Sequence, residues 1–219
     1  NLKRELEATF KEEINVYFDI NPHDGLLETH DVDESLKEKL KCLIFIPIIS
    51  RTYCDPKSFA WEHEFKAYVE EASHDQFGLK VRLPGGNVAS RVLPVQIHDL
   101  NNEDKLLVEK ELKGFLRAVE FIYKEPGVNK PLSADDDEKK NLNNTKYRLQ
   151  INKVANAIDE IISGLKGKPD ITVKETGLHL EIPERVIKET VEDRTKPVRK
   201  DRIKMIDVII SAGIISEER

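Results

Sequence analysis

Apolar residues recur along this chain at two spacings, and the switch between them predicts its elements. Leu2, Leu6 and Phe10 fall four apart among charged residues, which predicts a helix over residues 2–11. Ile14, Val16 and Phe18 alternate with their neighbours, the period of a strand. Pro22 and Gly25 break that strand, and a loop follows to about residue 32. Asp33 is placed to cap a short helix carrying Leu36 and Leu40, with Lys37, Lys39 and Lys41 crowding its C-terminal half. Residues 42–49, CLIFIPII, are apolar without interruption, the pattern of a strand covered on both faces. After an irregular stretch over 50–57, Trp61, Phe65, Tyr68 and Val69 form a helical stripe ending near residue 71.

Residues 77–83 and a strand beginning at Val88 flank Pro84-Gly85-Gly86-Asn87, which predicts a hairpin. A strand over 91–97, a helix from Asn101 or Asn102 to Gly114, and a last strand over 116–123 continue the alternation. Residues 125–137 read as an acidic connection with prolines. A long helix over 140–165 has Ile151, Val154, Ala155, Ile158, Ile161 and Ile162 on one face and is expected to end at Gly164 and Gly167. Together these predict an α/β domain: a doubly wound, mainly parallel sheet with helices on both faces. Because the chain opens on Asn1 and reads as mid-helix at once, the sheet is expected to lack its first strand, the chain being truncated upstream.

Residues 167–219 have a different texture, with aliphatic but no aromatic side chains, and are read as a linker and a helical extension. Residues 198–215 are read as an amphipathic helix interrupted by Asp207. The organisation expected is therefore a domain over 1–166 and an extension over 167–219. The net charge of −6 argues against a dedicated nucleic-acid binder. With no apolar run long enough to span a bilayer, no signal sequence and only Cys42 and Cys54, the chain is expected to be soluble and cytoplasmic, with no membrane partner.

The segment from Ser50 to Phe65 leaves the C-terminal end of the most apolar strand and runs into a helix. Ligands of open α/β sheets bind at that edge, and a carboxylate on the first turns of such a helix can contact a sugar or stabilise developing positive charge. Glu62, His63 and Glu64 are the candidates there.

In this segment the chain resembles a bacterial Toll/interleukin-1 receptor (TIR) domain. The family's pattern is a serine, then Ser-x-Trp-Cys-x-x-Glu after the third strand; Ser50 and Ser58 match the serines and Glu64 the glutamate. Ala60 and Trp61 stand where the family has Trp and Cys, so the tryptophan is displaced by one residue. Asp19-Ile20-Asn21-Pro22-His23-Asp24-Gly25 is similar to the family's BB loop. With the order of elements, the resemblance covers residues 1–166. It implies a flavodoxin-like fold and cleavage of NAD⁺, as substrate rather than cofactor, to nicotinamide and ADP-ribose or its cyclic form. Glu64 would be the catalytic carboxylate, with Ser58, Trp61, Asp19 and Ile20 at the substrate and Asn21, Pro22, His23, Asp24 and Gly25 forming the interaction loop. It further implies homotypic TIR self-association, a role as a bacterial immune effector, and a parent protein that could carry a sensor module beyond Arg219.

Two other function classes fit the same residues: a non-catalytic TIR adaptor, and an enzyme of related architecture acting on a nucleotide sugar or deoxynucleotide. Several chemistries are disfavoured. The residue four after His63 is Ala67, so the zinc-protease spacing fails, and no Gly-Lys-Ser/Thr follows Gly85-Gly86, so that turn is not a phosphate loop. His23 and His30 near Asp24, Glu28 and Asp31 read as an ordinary polar loop, Cys54 lacks an evident base, and the basic run over 194–204 reads as a solvated face.

Overall fold

The apolar run over residues 42–49 supplies the strand around which two cores form. In the computed structural model, which describes residues 1–11, 14–18, 37–115, 117–167 and 206–212, it becomes β2 (Ile44–Ile49). Its side chains alternate between two hydrophobic clusters. Phe45 and Ile49 pack with Tyr53, Trp61, Phe65, Tyr68 and Val108 on one face, and Ile44 and Ile46 with Leu6, Val154 and Ile158 on the other. Burial on both faces explains why no polar residue interrupts the run.

Before β2 come α1 (Leu2–Thr9), β1 (Ile14–Phe18) and a helical turn at residues 37–39. After it come a π-helical segment (Ala60–Lys66), α2 (Ala67–His74), and the hairpin β3 (Lys80–Arg82) and β4 (Val88–Ser90). β5 (Val95–Gln96), α3 (Asn102–Leu112) and β6 (Val119–Glu120) follow. Then come the hairpin β7 (Ile122–Glu125) and β8 (Val128–Pro131), α4 (Tyr147–Lys166) and β9 (Ile206–Ser211). The five-stranded sheet has the order β1-β9-β2-β5-β6, with every pair parallel. The π-helical segment, α2 and α3 contribute to one core, and α1 and α4 to the other, so helices cover both faces as expected.

The largest correction concerns the tail. The helix expected over 198–215 is, at residues 206–211, the strand β9. It lies in the middle of the sheet, where the sequence reading expected a strand to be missing. Ile206 pairs with Ile14, Val208 with both Val16 and Ile44, and Ser211 with Pro47. Ile206 and Val208 face the α4 side and Ile209 the opposite side, so β9 is covered on both faces like β2. Asp207 is exposed at the start of the strand and accepts a hydrogen bond from Asn15 Nδ2 at 3.2 Å. The β-branched residues Ile206, Val208, Ile209 and Ile210 favour this outcome once lateral partners exist.

Three smaller differences have local causes. The strand expected over 91–97 is reduced to β5 and a single bridge between Phe45 and Val92. Phe45 donates its N–H to Arg91 O and accepts from Leu93 N, so the next donor toward this side of β2 would be at position 47. Proline has no N–H, and the ladder is interrupted there. The long helix begins at Tyr147 rather than 140 because Asn141, buried, holds a turn: its Oδ1 accepts from Lys124 N and Asn143 N, and its Nδ2 donates to Thr145 O. That helix also passes through Gly164 and ends at Lys166, and residues 128–131 of the expected connection form β8. Among the described residues no helix is long and apolar enough to cross a membrane.

Candidate functional site

The chain leaving β2 is folded by its own hydroxyls and carboxylates. Ser50 Oγ accepts from Tyr53 N at 3.1 Å, Asp55 Oδ1 accepts from Lys57 N at 2.9 Å, and Ser58 N donates to Asp55 O at 2.9 Å. These turns drive Tyr53 into the core and bring Ser58 to the head of the next helix. Ser58 Oγ accepts from Trp61 N at 3.2 Å and donates to Tyr53 O at 3.3 Å, so Ser58 holds the helix start as a cap.

The segment Ala60–Lys66 winds as a π-helix, a wide turn that recurs at functional sites. It buries Ala60, Trp61, Glu64 and Phe65 on one face. Trp61 lies tilted against Phe65 at 4.9 Å between ring centroids, within the core cluster. Glu62, on the outer face, pairs with Lys66 at 2.8 Å, and His63 stacks on Phe59 at 4.6 Å.

Glu64 is a carboxylate only 7% exposed. Its Oε2 accepts a hydrogen bond from Ser211 Oγ, at the C-terminal end of the central strand β9. Tyr53 Oη lies 3.2 Å from Ser211 Oγ. Ser211 Oγ donates its one proton to Glu64, so in the Tyr53–Ser211 pair Tyr53 is the donor. Burial pushes the Tyr53 phenol far above its ordinary pKa, which keeps it a donor across the physiological range. The distant strand β9 thus delivers a hydroxyl to a carboxylate on the segment that follows β2, at the C-terminal edge of a parallel sheet, where open α/β sheets bind ligands. A carboxylate so held can accept hydrogen bonds from vicinal hydroxyls or stabilise a developing cation.

The two thiols are poor nucleophiles here: burial pushes both Cys42 and Cys54 up to about 12. A largely apolar cavity of about 360 Å³ opens on the α4 side of the sheet, lined by Ile46, Ile48, Ile97, Val154 and Ile210. Glu64 and Tyr53 belong to the other side, so this cavity does not contain the carboxylate.

Of the residues expected at the site, Glu64, Trp61 and Ser58 lie on one short stretch, with Glu64 facing β9. Asp19, Ile20, Asn21, Pro22, His23, Asp24 and Gly25 lie outside the described residues. Sequence reasoning missed Ser211 and Tyr53. Tyr53 sits in the segment already singled out, but its hydrogen bond to Ser211 exists only in the fold, and Ser211 ends a β-branched run expected to be helical. Comparison of the chain with family models, curated proteins and solved structures gives no match.

Proposed function

We propose that this chain is a TIR-like NAD⁺ glycohydrolase of flavodoxin-like fold, a cytoplasmic signalling or immune effector activated by self-assembly. The reading rests on the sequence resemblance described above. The observation that supports it best is the position of Glu64: the residue matching the family's glutamate is a buried, hydroxyl-bonded carboxylate at the C-terminal edge of a parallel sheet. The order β1-β9-β2-β5-β6, with helices on both faces, supports the flavodoxin-like part of the reading.

The chemistry asks little of the protein beyond placement and charge. Nicotinamide leaves NAD⁺ as a neutral molecule, so the glycosidic C–N bond breaks without a proton donor to the leaving group. Cleavage leaves positive charge on the ribose ring, and a carboxylate held beside it stabilises the oxocarbenium-like transition state more than the substrate. Water then adds to the ribose anomeric carbon and loses a proton, giving ADP-ribose; attack by an adenine nitrogen instead gives the cyclic product. Glu64 supplies the negative charge and accepts hydrogen bonds from the ribose hydroxyls.

The test is nicotinamide release from NAD⁺ by the protein clustered through a fused oligomerising tag, beside Glu64→Ala. Turnover that vanishes with the substitution supports the reading. A folded, assembled sample without turnover refutes it and leaves a non-catalytic interaction module, while turnover that survives Glu64→Ala shows that another group acts.

A further inference from the structure

The reading just given requires a carboxylate that is held in place, and the group that holds it here comes from the far end of the chain. Ser211 is 1% exposed and Glu64 is 7% exposed, so their hydrogen bond is shielded from water and its loss is not readily replaced by solvent. Tyr53, 2% exposed, donates to the same serine and is itself oriented by its edge-to-face packing on Phe65 at 6.3 Å. The result is a directional chain of hydroxyls running from Tyr53 through Ser211 to Glu64, in which each bond polarises the next. Ser211 stands opposite Pro47 in the register of β9 and β2, so its place is fixed by the strand pairing rather than by a mobile loop.

We propose that Ser211 is a positioning residue for Glu64, with Tyr53 behind it, so that seating the C-terminal strand between β1 and β2 completes the site. Position 206–211 in the sheet and competence of the carboxylate then become one event: β9 is at once the central strand and the element that aims the reacting group. The proposal rests on the glycohydrolase reading of Glu64 for its kinetic consequence, and on the Ser211–Glu64 hydrogen bond for its structural one.

The experiment uses the full chain, clustered as above, with Ser211→Ala, Ser211→Thr and Tyr53→Phe. A lost orienting hydrogen bond to a charged group should lower kcat for NAD⁺ by about 10- to 100-fold in Ser211→Ala while KM changes less than about threefold. Ser211→Thr, which keeps the hydroxyl, should recover most of that loss, and Tyr53→Phe should lower kcat by a smaller factor. Unchanged kcat in Ser211→Ala overturns the proposal, as does equal impairment of the alanine and threonine variants, since that pattern belongs to packing. Urea midpoints of Ser211→Ala, Glu64→Gln and the double variant give a reading independent of turnover. A double variant less destabilised than the two single losses combined supports the pairing, and strictly additive midpoints overturn it. If the unaltered protein shows no turnover, the glycohydrolase reading fails on its own account, and the midpoints still decide whether Ser211 holds Glu64.

Discussion

Replacing Ile206 by alanine asks whether the C-terminal segment is the core strand of this fold. Ile206 is fully buried, packs in the cluster containing Leu6, Val154 and Ile158, and pairs laterally with Ile14. Truncating a fully buried isoleucine removes its transfer free energy and leaves a cavity, a loss of about 2–5 kcal/mol. Against a total stability of about 5–15 kcal/mol, a central value near 3 is a large fraction. With a denaturant slope of about 2 kcal/mol per molar urea, it moves the midpoint down by about 1.5 M. Val208→Ala, also fully buried but with less side chain to lose, should cost about 2 kcal/mol, whereas Asp207→Ala, exposed, should stay within about 1. Trp61 is the only tryptophan and is buried, so its emission reports the transition without a label. The sensitivity should therefore alternate with period two across 206, 207 and 208. Midpoints unmoved at both 206 and 208 would refute the placement, and so would a loss at 207 as large as theirs.

Arg91 is buried and donates to Leu43 O at 2.8 Å, to Cys42 O at 3.0 Å and to the Asp75 carboxylate, locking the entry to β2. Arg91→Ala should cost about 3–5 kcal/mol and Arg91→Lys should recover only part of it, because an ammonium cannot span the fork; a neutral urea midpoint would contradict this. A Cβ at Gly164 would meet Val81 Cγ1 at 2.8 Å and Arg82 O at 3.1 Å, so Gly164→Ala should lower stability by about 1–3 kcal/mol despite the better helix propensity, and a raised Tm would refute it. Cys42 and Cys54 keep their protons in the folded protein up to about 12, while unfolded thiols ionise near 9, so the unfolded state binds fewer protons between those values. Their contribution is complete below about pH 9 and is lost as pH climbs from there toward 12. Urea midpoints at pH 8 and pH 10.5 should show the decline, and equal midpoints would argue against buried thiols.

The elements that satisfy themselves locally were legible in the sequence. Asn101 marks the start of α3, where its side chain accepts from Asp104 N at 2.7 Å, and the Pro-Gly-Gly-Asn turn lies between β3 and β4. The unbroken apolar run of β2 announced burial on both faces, and the isoleucine and valine stripe of α4 announced one covered face. Glu64 could be singled out by its place after the apolar strand and by the resemblance, but its burial is a property of the fold alone.

What the sequence could not announce is anything decided by a lateral neighbour. A short run such as Ile206–Ser211 carries the same apolar content in a buried helix or a buried strand, and the choice falls to backbone partners. Here these are Ile14–Phe18 and Ile44–Ile49, far away along the chain. The same long-range pairing brings Ser211 to Glu64, and the missing N–H of Pro47 shortens β5 only because β5 lies on that side of β2. Local propensity and periodicity are written in neighbouring residues. A parallel sheet is held by hydrogen bonds between residues that the chain keeps far apart, so its strand order, and the hydroxyl that its central strand delivers to the carboxylate, exist only in the folded molecule.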